Sequence, residues 1–274
     1  MPLVHVESAG GAEVHVTDTG APHPDAPVVV FGHGLLFSGR MFDAQVEALR
    51  GDHRCVTVDW RSQGRSPAAA DGHDMDTLLA DLLAVLDHLG LGAVHYVGLS
   101  MGGFVGMRLA ARHPDRVRTL TLLDTSAGPE DPSKRIRYRL MAAVYRRVGI
   151  GPLRRPVQRM MFGRTFLAGP RAASVLDAWA GDLRVADRGG TVRAIHGVTD
   201  RVPATPALSA VTAPTLVVVG DEDVATPVAK AEAVAAGIAD ARLAVVRGAG
   251  HSSTVEAPDE VTALLRRFLE AHPG

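Results

Sequence analysis

Short, near-continuous apolar runs alternate along this chain with longer segments whose apolar positions recur every three or four residues. The runs are Val28 to Phe31, Arg54 to Val58, Val94 to Val97, Val117 to Leu123, Thr215 to Val219 and Leu243 to Val246. A strand with one wet face alternates apolar and polar residues, and a strand covered on both faces does not. These runs therefore predict parallel strands packed between layers of helices. Leu3 to Glu7 and Glu13 to Thr17 alternate more, as an antiparallel hairpin at a sheet edge would. Met75 to Leu89 carries Leu78, Leu79, Leu82, Val85, Leu86 and Leu89 on one stripe, the period of an amphipathic helix. Asp74 is placed to cap its start and Gly90 to end it. Phe104 to Arg112 and Val255 to Phe268 read as further helices. Alternating strands and helices predict an α/β fold with a doubly wound sheet.

The alternation stops between about Gly128 and Ala213, where only helix-like pieces broken by Gly and Pro remain. This predicts a helical cap, residues 128–213, inserted into a core built from residues 1–127 and 214–274. Every charged residue from Lys134 to Arg171 is basic. The plain reading is a set of solvated helix faces with Met and Phe residues packing beneath them. The sharper one is a cap that selects an anionic substrate, since Arg pairs well with carboxylates. Met141, Met160, Met161, Phe162, Phe166 and Trp179 are the candidates for an apolar pocket.

At 274 residues the chain can bury one large core with an insertion. A formal net charge of −1 gives no global pull toward nucleic acid or anionic membrane. No apolar stretch approaches the roughly 18 residues needed to span a bilayer. The first residues show neither a basic nor an apolar leader, so cytoplasmic residence is expected. The single cysteine, Cys55, can form no intrachain disulfide and reads as a small core residue. The oligomeric state is not legible here.

Chemistry enters at Gly98-Leu99-Ser100-Met101-Gly102, a G-x-S-x-G between a predicted strand and a predicted helix. A sharp turn there would hold Ser100 with its hydroxyl exposed, and the flanking glycines remove Cβ atoms that would collide with nearby backbone. A serine hydroxyl attacks poorly until an imidazole takes its proton and a carboxylate orients that imidazole. His251, in the glycine-rich loop after Leu243 to Val246, is the candidate base. The candidate acid lies in Gly220 to Pro227, where Asp221, Glu222 and Asp223 crowd one loop, and Asp124 after Leu123 is a geometric rival. Backbone N–H groups of Met101 and Leu35 are the candidate oxyanion hole. His33, in Gly32-His33-Gly34, reads as a brace for that loop. The histidines lack helical metal-ligand spacing, so no metal or other cofactor is expected.

Together, Gly32-His33-Gly34, Asp59 to Ser66, Gly98 to Gly103, Asp223 to Pro227 and Gly250-His251 resemble the α/β-hydrolase fold superfamily over nearly the whole chain. The resemblance implies a mostly parallel eight-stranded sheet with helices on both faces and a helical cap insertion. It also selects Asp223, four residues before Pro227, as the acid. Ser62 stands where the family turn usually has glycine, which puts the local backbone of that loop in doubt. The nearest likeness is to 3-oxoadipate enol-lactonases and the related esterase and cofactor-free haloperoxidase branch. The implied activity is a serine hydrolase acting on a small ester or lactone through an acyl-enzyme. C–C bond hydrolysis, perhydrolysis and low-turnover ligand binding are the alternatives. Epoxide hydrolases and haloalkane dehalogenases place aspartate where this chain has Ser100.

Overall fold

The apolar runs become one eight-stranded sheet in the computed structural model, which describes residues 3–5 and 11–273. The strands are β1 (Leu3–His5), β2 (Glu13–Asp18), β3 (Val28–Gly32), β4 (Arg54–Asp59), β5 (Val94–Leu99), β6 (Val117–Leu123), β7 (Thr215–Gly220) and β8 (Ala241–Val246). Their order is β1-β2-β4-β3-β5-β6-β7-β8, with β1 to β4 joined antiparallel through β2 and all later pairings parallel. The edge hairpin forms at Leu3–His5, while Val6 and Glu7 lie outside the described residues. All of β5 and β7 is buried, as unbroken apolar runs require, whereas the edge strand β8 leaves Leu243 and Val245 partly exposed.

The helices are α1 (Asp43–Leu49), α2 (Met75–His88), α3 (Met101–Arg112), α4 (Pro132–Val148), α5 (Arg154–Met161), α6 (Arg164–Leu167), α7 (Ala172–Val185), α8 (Arg188–Thr199), α9 (Val228–Gly237), α10 (Ser253–Glu256) and α11 (Pro258–Glu270). The ends of α2 follow the expected chemistry. Asp74 accepts the N–H groups of Asp76 and Thr77, and Gly90 takes a left-handed φ of 64° just past the C-cap. The C-terminal segment departs from expectation. It is two helices rather than one, because Ala257 precedes Pro258 and leaves the helical region (φ −127°, ψ 59°).

Two apolar clusters cover the two faces of the sheet, one under α2, α3 and α9, the other under α1 and α11. Helices α4 to α8 form a third cluster, built on Tyr145, Met161, Phe162 and Trp179. Phe37, from the loop after β3, joins it, and Trp179 Nε1 donates to Leu36 O at 3.1 Å. Cys55 is buried and its thiol is pushed up to about 12 by burial. Among the described residues, no helix is long and apolar enough to cross a membrane.

Candidate active site

Parallel strands end on one edge of the sheet, so the loops after β3, β5, β7 and β8 meet there. Ser100 follows β5 directly, with φ 50° and ψ −108°, a backbone conformation rare outside glycine. The turn is tight enough that a Cβ on Gly102 would stand 1.9 Å from Gly32 O, and one on Gly98 2.4 Å from Gly102 O. The G-x-S-x-G spacing is therefore a packing requirement.

His251 Nε2 lies 2.9 Å from Ser100 Oγ, and its Nδ1 lies 2.8 Å from Asp223 Oδ2. A carboxylate only accepts, so Nδ1 carries the ring proton and donates to Asp223, leaving Nε2 bare to accept from Ser100. Asp223 also accepts the N–H groups of Ala225 and Thr226 and the Thr226 hydroxyl, all within 2.8 Å. Burial pulls its carboxyl upward. The His251 charge and these donors outweigh that and hold it below the ordinary carboxylate range. Burial pulls His251 downward, and the charges of Asp223, Asp124 and Glu256 lift it above an ordinary histidine.

The rival carboxylates have other partners. Asp221 accepts from Gly248 N–H, and Glu222 accepts from Arg164 and Thr165. Asp124 is fully buried and accepts Gly220 N–H and Ser253 N–H, both at 3.0 Å. Burial, followed by the Asp223 charge, raises it to about 7.

Around Ser100, Gly34 N–H points to Met41 Sδ, Leu36 N–H to Gln63 Oε1, Ser100 N–H to Leu123 O and Gly102 N–H to His33 O. No described residue accepts from the N–H of Leu35 or Met101. Met101 opens α3, so its N–H sits at the positive end of that helix dipole. His33 Nδ1 lies 2.8 Å from Gly34 O, and Trp60 N–H donates to its Nε2 at 3.0 Å. Burial, against the charge of Asp59, lowers its pKa. A neutral ring is what this pair of contacts needs, and it braces the loop as expected. Ser62 adopts the left-handed φ of 63° that glycine usually supplies, and its hydroxyl then accepts Ala69 N–H and meets His73 Nε2.

The cavity above Ser100 spans about 860 Å³ including its open mouth. Met141, Met160 and Met161 line it, whereas Phe162, Phe166 and Trp179 pack among themselves and with Phe37. Sequence reading missed Thr226, Glu256 and Glu130. Thr226 could have been noticed as a hydroxyl within the Asp223 loop, and Glu256 as a carboxylate just past the Gly250-to-Ser252 turn whose N–H groups it accepts, whereas Glu130 meets Arg201 only across 71 positions of chain. Among the described residues, no group of three or more His, Cys, Asp or Glu is gathered to hold a metal ion.

Residues 27–258 match the sequence model of the alpha/beta hydrolase fold. The provisionally named carbamate hydrolase RutD of Pseudomonas syringae pv. syringae (strain B728a) is 27% identical, over 92% of this chain and 96% of its own. A thermophilic esterase from Thermogutta terrifontis superposes with a TM-score of 0.89 at 29% identity, covering 99% of this chain and 98% of that one. An enol-lactonase from Burkholderia xenovorans LB400 gives 0.88 at 28% identity, covering 97% and 99%. With a nucleophile-like serine at its strained turn and a family match across most of its length, this chain belongs to the alpha/beta hydrolase fold family and is a hydrolase.

Proposed function

We propose that this hydrolase cleaves a small carboxylic ester or lactone through an acyl-enzyme, with Ser100 as nucleophile, His251 as base and Asp223 as the orienting acid. The observation that carries the reading is the unbroken chain from Ser100 Oγ through His251 to Asp223, at 2.9 and 2.8 Å. His251 takes the Ser100 proton as the hydroxyl attacks the carbonyl. The oxyanion that forms accepts from Leu35 and Met101 N–H, the two donors without another acceptor. His251 then returns the proton to the leaving alcohol, and later activates the water that frees the acid. Helices α4 to α8 act as the cap that closes the acyl pocket. The named esterase and enol-lactonase among the similar structures support this substrate class.

Ser100→Ala should lower hydrolysis of p-nitrophenyl acetate by more than about 10³-fold while leaving the fold intact. Equal rates in mutant and wild type would remove Ser100 from the mechanism.

A further inference from the structure

The cap is strongly basic, yet none of its arginines lines the cavity above Ser100. Arg135 and Arg139 pair with Asp200, Arg154 with Asp177 and Arg164 with Glu222, all on the outside of the cap or at its seam. Arg171 donates to the carbonyls of Val255 and Glu256. The lining is instead mostly aliphatic and thioether, including Met141, Ile150, Leu153, Val157, Met160 and Ile195. Its ionisable members are Glu130, Tyr138, Tyr145 and His251, so the wall holds a carboxylate and no Lys or Arg.

Cations do stand behind this wall: Lys134 donates to Ala225 O at 3.2 Å, Arg137 lies over the Tyr138 ring, and the buried one of the three is Arg201. Arg201 has a side chain 2% exposed, and its guanidinium lies 4.2 Å from the centre of the Phe104 ring, whose other contacts include the cavity. Both terminal nitrogens of its fork are already used, while its buried Nε–H has no partner among the described residues. Nη1 donates to Glu130 Oε2 at 3.0 Å and to Val198 O, while Nη2 donates to Ser126 Oγ and Gly128 O. Without Glu130, this guanidinium would be the natural partner for an acidic substrate group. With it, the two charges largely cancel, and the cavity meets the carboxylate side of a neutral pair, with no positive charge left to offer.

Resting on the hydrolase reading above, we propose that the cavity takes a neutral, lipophilic acyl chain and turns away carboxylate-bearing ones, with Glu130 setting that preference. An apolar chain gains burial along the methionine and aliphatic wall. A substrate carboxylate sheds its water there, gains no cation, and faces Glu130. This is the opposite of an anion-selecting cap.

The test compares p-nitrophenyl acetate, butyrate and hexanoate with mono-p-nitrophenyl adipate, which matches hexanoate in length but ends in a carboxylate. The ratio kcat/KM should rise by roughly fourfold per added methylene along the neutral series. The adipate ester should fall at least about a hundredfold below hexanoate. Glu130→Gln frees Arg201 and should raise the adipate-to-hexanoate ratio by about tenfold or more, while Arg201→Met should lower it further. The wild-type comparison stands whether or not either variant folds. Adipate turned over within about threefold of hexanoate, or a ratio that neither variant moves, overturns the proposal. If acetate is hydrolysed in a Ser100-dependent manner in that case, the hydrolase reading survives and only the selectivity falls. If acetate is never hydrolysed, or Ser100→Ala is unaffected, both fall together.

Discussion

Among the described residues, four other than glycine carry a positive φ: Leu36 at 68°, Ser62 at 63°, Ser100 at 50° and Asp124 at 44°. Such residues cost about 1–3 kcal/mol each and persist only where the surroundings overdetermine them. Three of the four stand in the turns that follow strands beside the site: Leu36 in the loop after β3, Ser100 directly after β5, and Asp124 directly after β6. Asp124 shows how two neighbouring aspartates can differ in task. Its two oxygens each hold a backbone N–H, one from the end of β7 and one from the start of α10, so it ties together the segments that carry Asp223 and His251. Asp223 instead touches the imidazole. Asp223→Asn should therefore lower kcat by about 10⁴-fold, because an amide no longer fixes the His251 tautomer. Asp124→Asn should mainly lower the thermal midpoint, since an amide N–H₂ then faces a buried donor. Measuring kcat and melting curves for both variants checks the assignment; a loss of kcat as large in Asp124→Asn as in Asp223→Asn would contradict it. The loop sequence names three carboxylates without saying which one turns inward, because that choice depends on where His251 lies.

At the scale of elements, the broken C-terminal helix has a consequence for the site. Because α10 stops at Ala257, Glu256 folds back beneath the His251 loop. There its carboxylate accepts Gly250 N–H and Ser252 N–H, on either side of His251, together with Gly163 N–H from the junction of α5 and α6. One side chain thus joins the His251 loop to the helical unit above it. Burial holds its pKa above the ordinary carboxylate value, and the backbone donors offset only part of that rise. Glu256→Ala leaves three buried donors without an acceptor, at about 1–3 kcal/mol each before relaxation. The expected result is a lower thermal midpoint and a kcat that falls more than KM rises, with Glu256→Gln intermediate in both. A kcat unchanged in Glu256→Ala would reduce it to a packing residue. Periodicity located the strands and α2 to within a residue or two, since those signals are local. It passed over the break before Pro258, although a proline one residue beyond Ala257 was the available sign.

For the whole molecule, several histidines are built in as neutral groups. His73 and His95 are both lowered to about 4, chiefly by burial and then by nearby positive charge, from Arg193 and Arg61 for His73 and from His53 and Arg118 for His95. Their folded pKa lies below the unfolded value. As pH falls below about 6.5, the unfolded chain takes up protons that the folded one refuses. Their contribution is full above that pH and is lost progressively as pH falls through about 4. His251, raised in the fold, opposes this over part of the range, but His15, His33 and His53 are lowered as well. Melting curves should therefore show the midpoint dropping on the order of 5 °C or more between pH 6.5 and pH 4.5, before general acid denaturation. A midpoint that holds steady or rises over that interval would contradict the burial of these rings.

What this chain determines locally is the strand and helix rhythm and the strained serine turn. It also determines the order Ser100, Asp223, His251 along strands that end on one edge, because each depends on near neighbours in sequence. What only the tertiary structure decided is which side chains meet. It turned Arg135 and Arg139 of α4, Arg154 of α5 and Arg164 of α6 outward onto Asp200, Asp177 and Glu222, and left methionine and aliphatic residues over Ser100. It also paired Glu130 with Arg201 behind the cavity wall, across 71 positions of chain. Burial and charge pairing between segments far apart are properties of the packed molecule, and no pattern within either segment carries them.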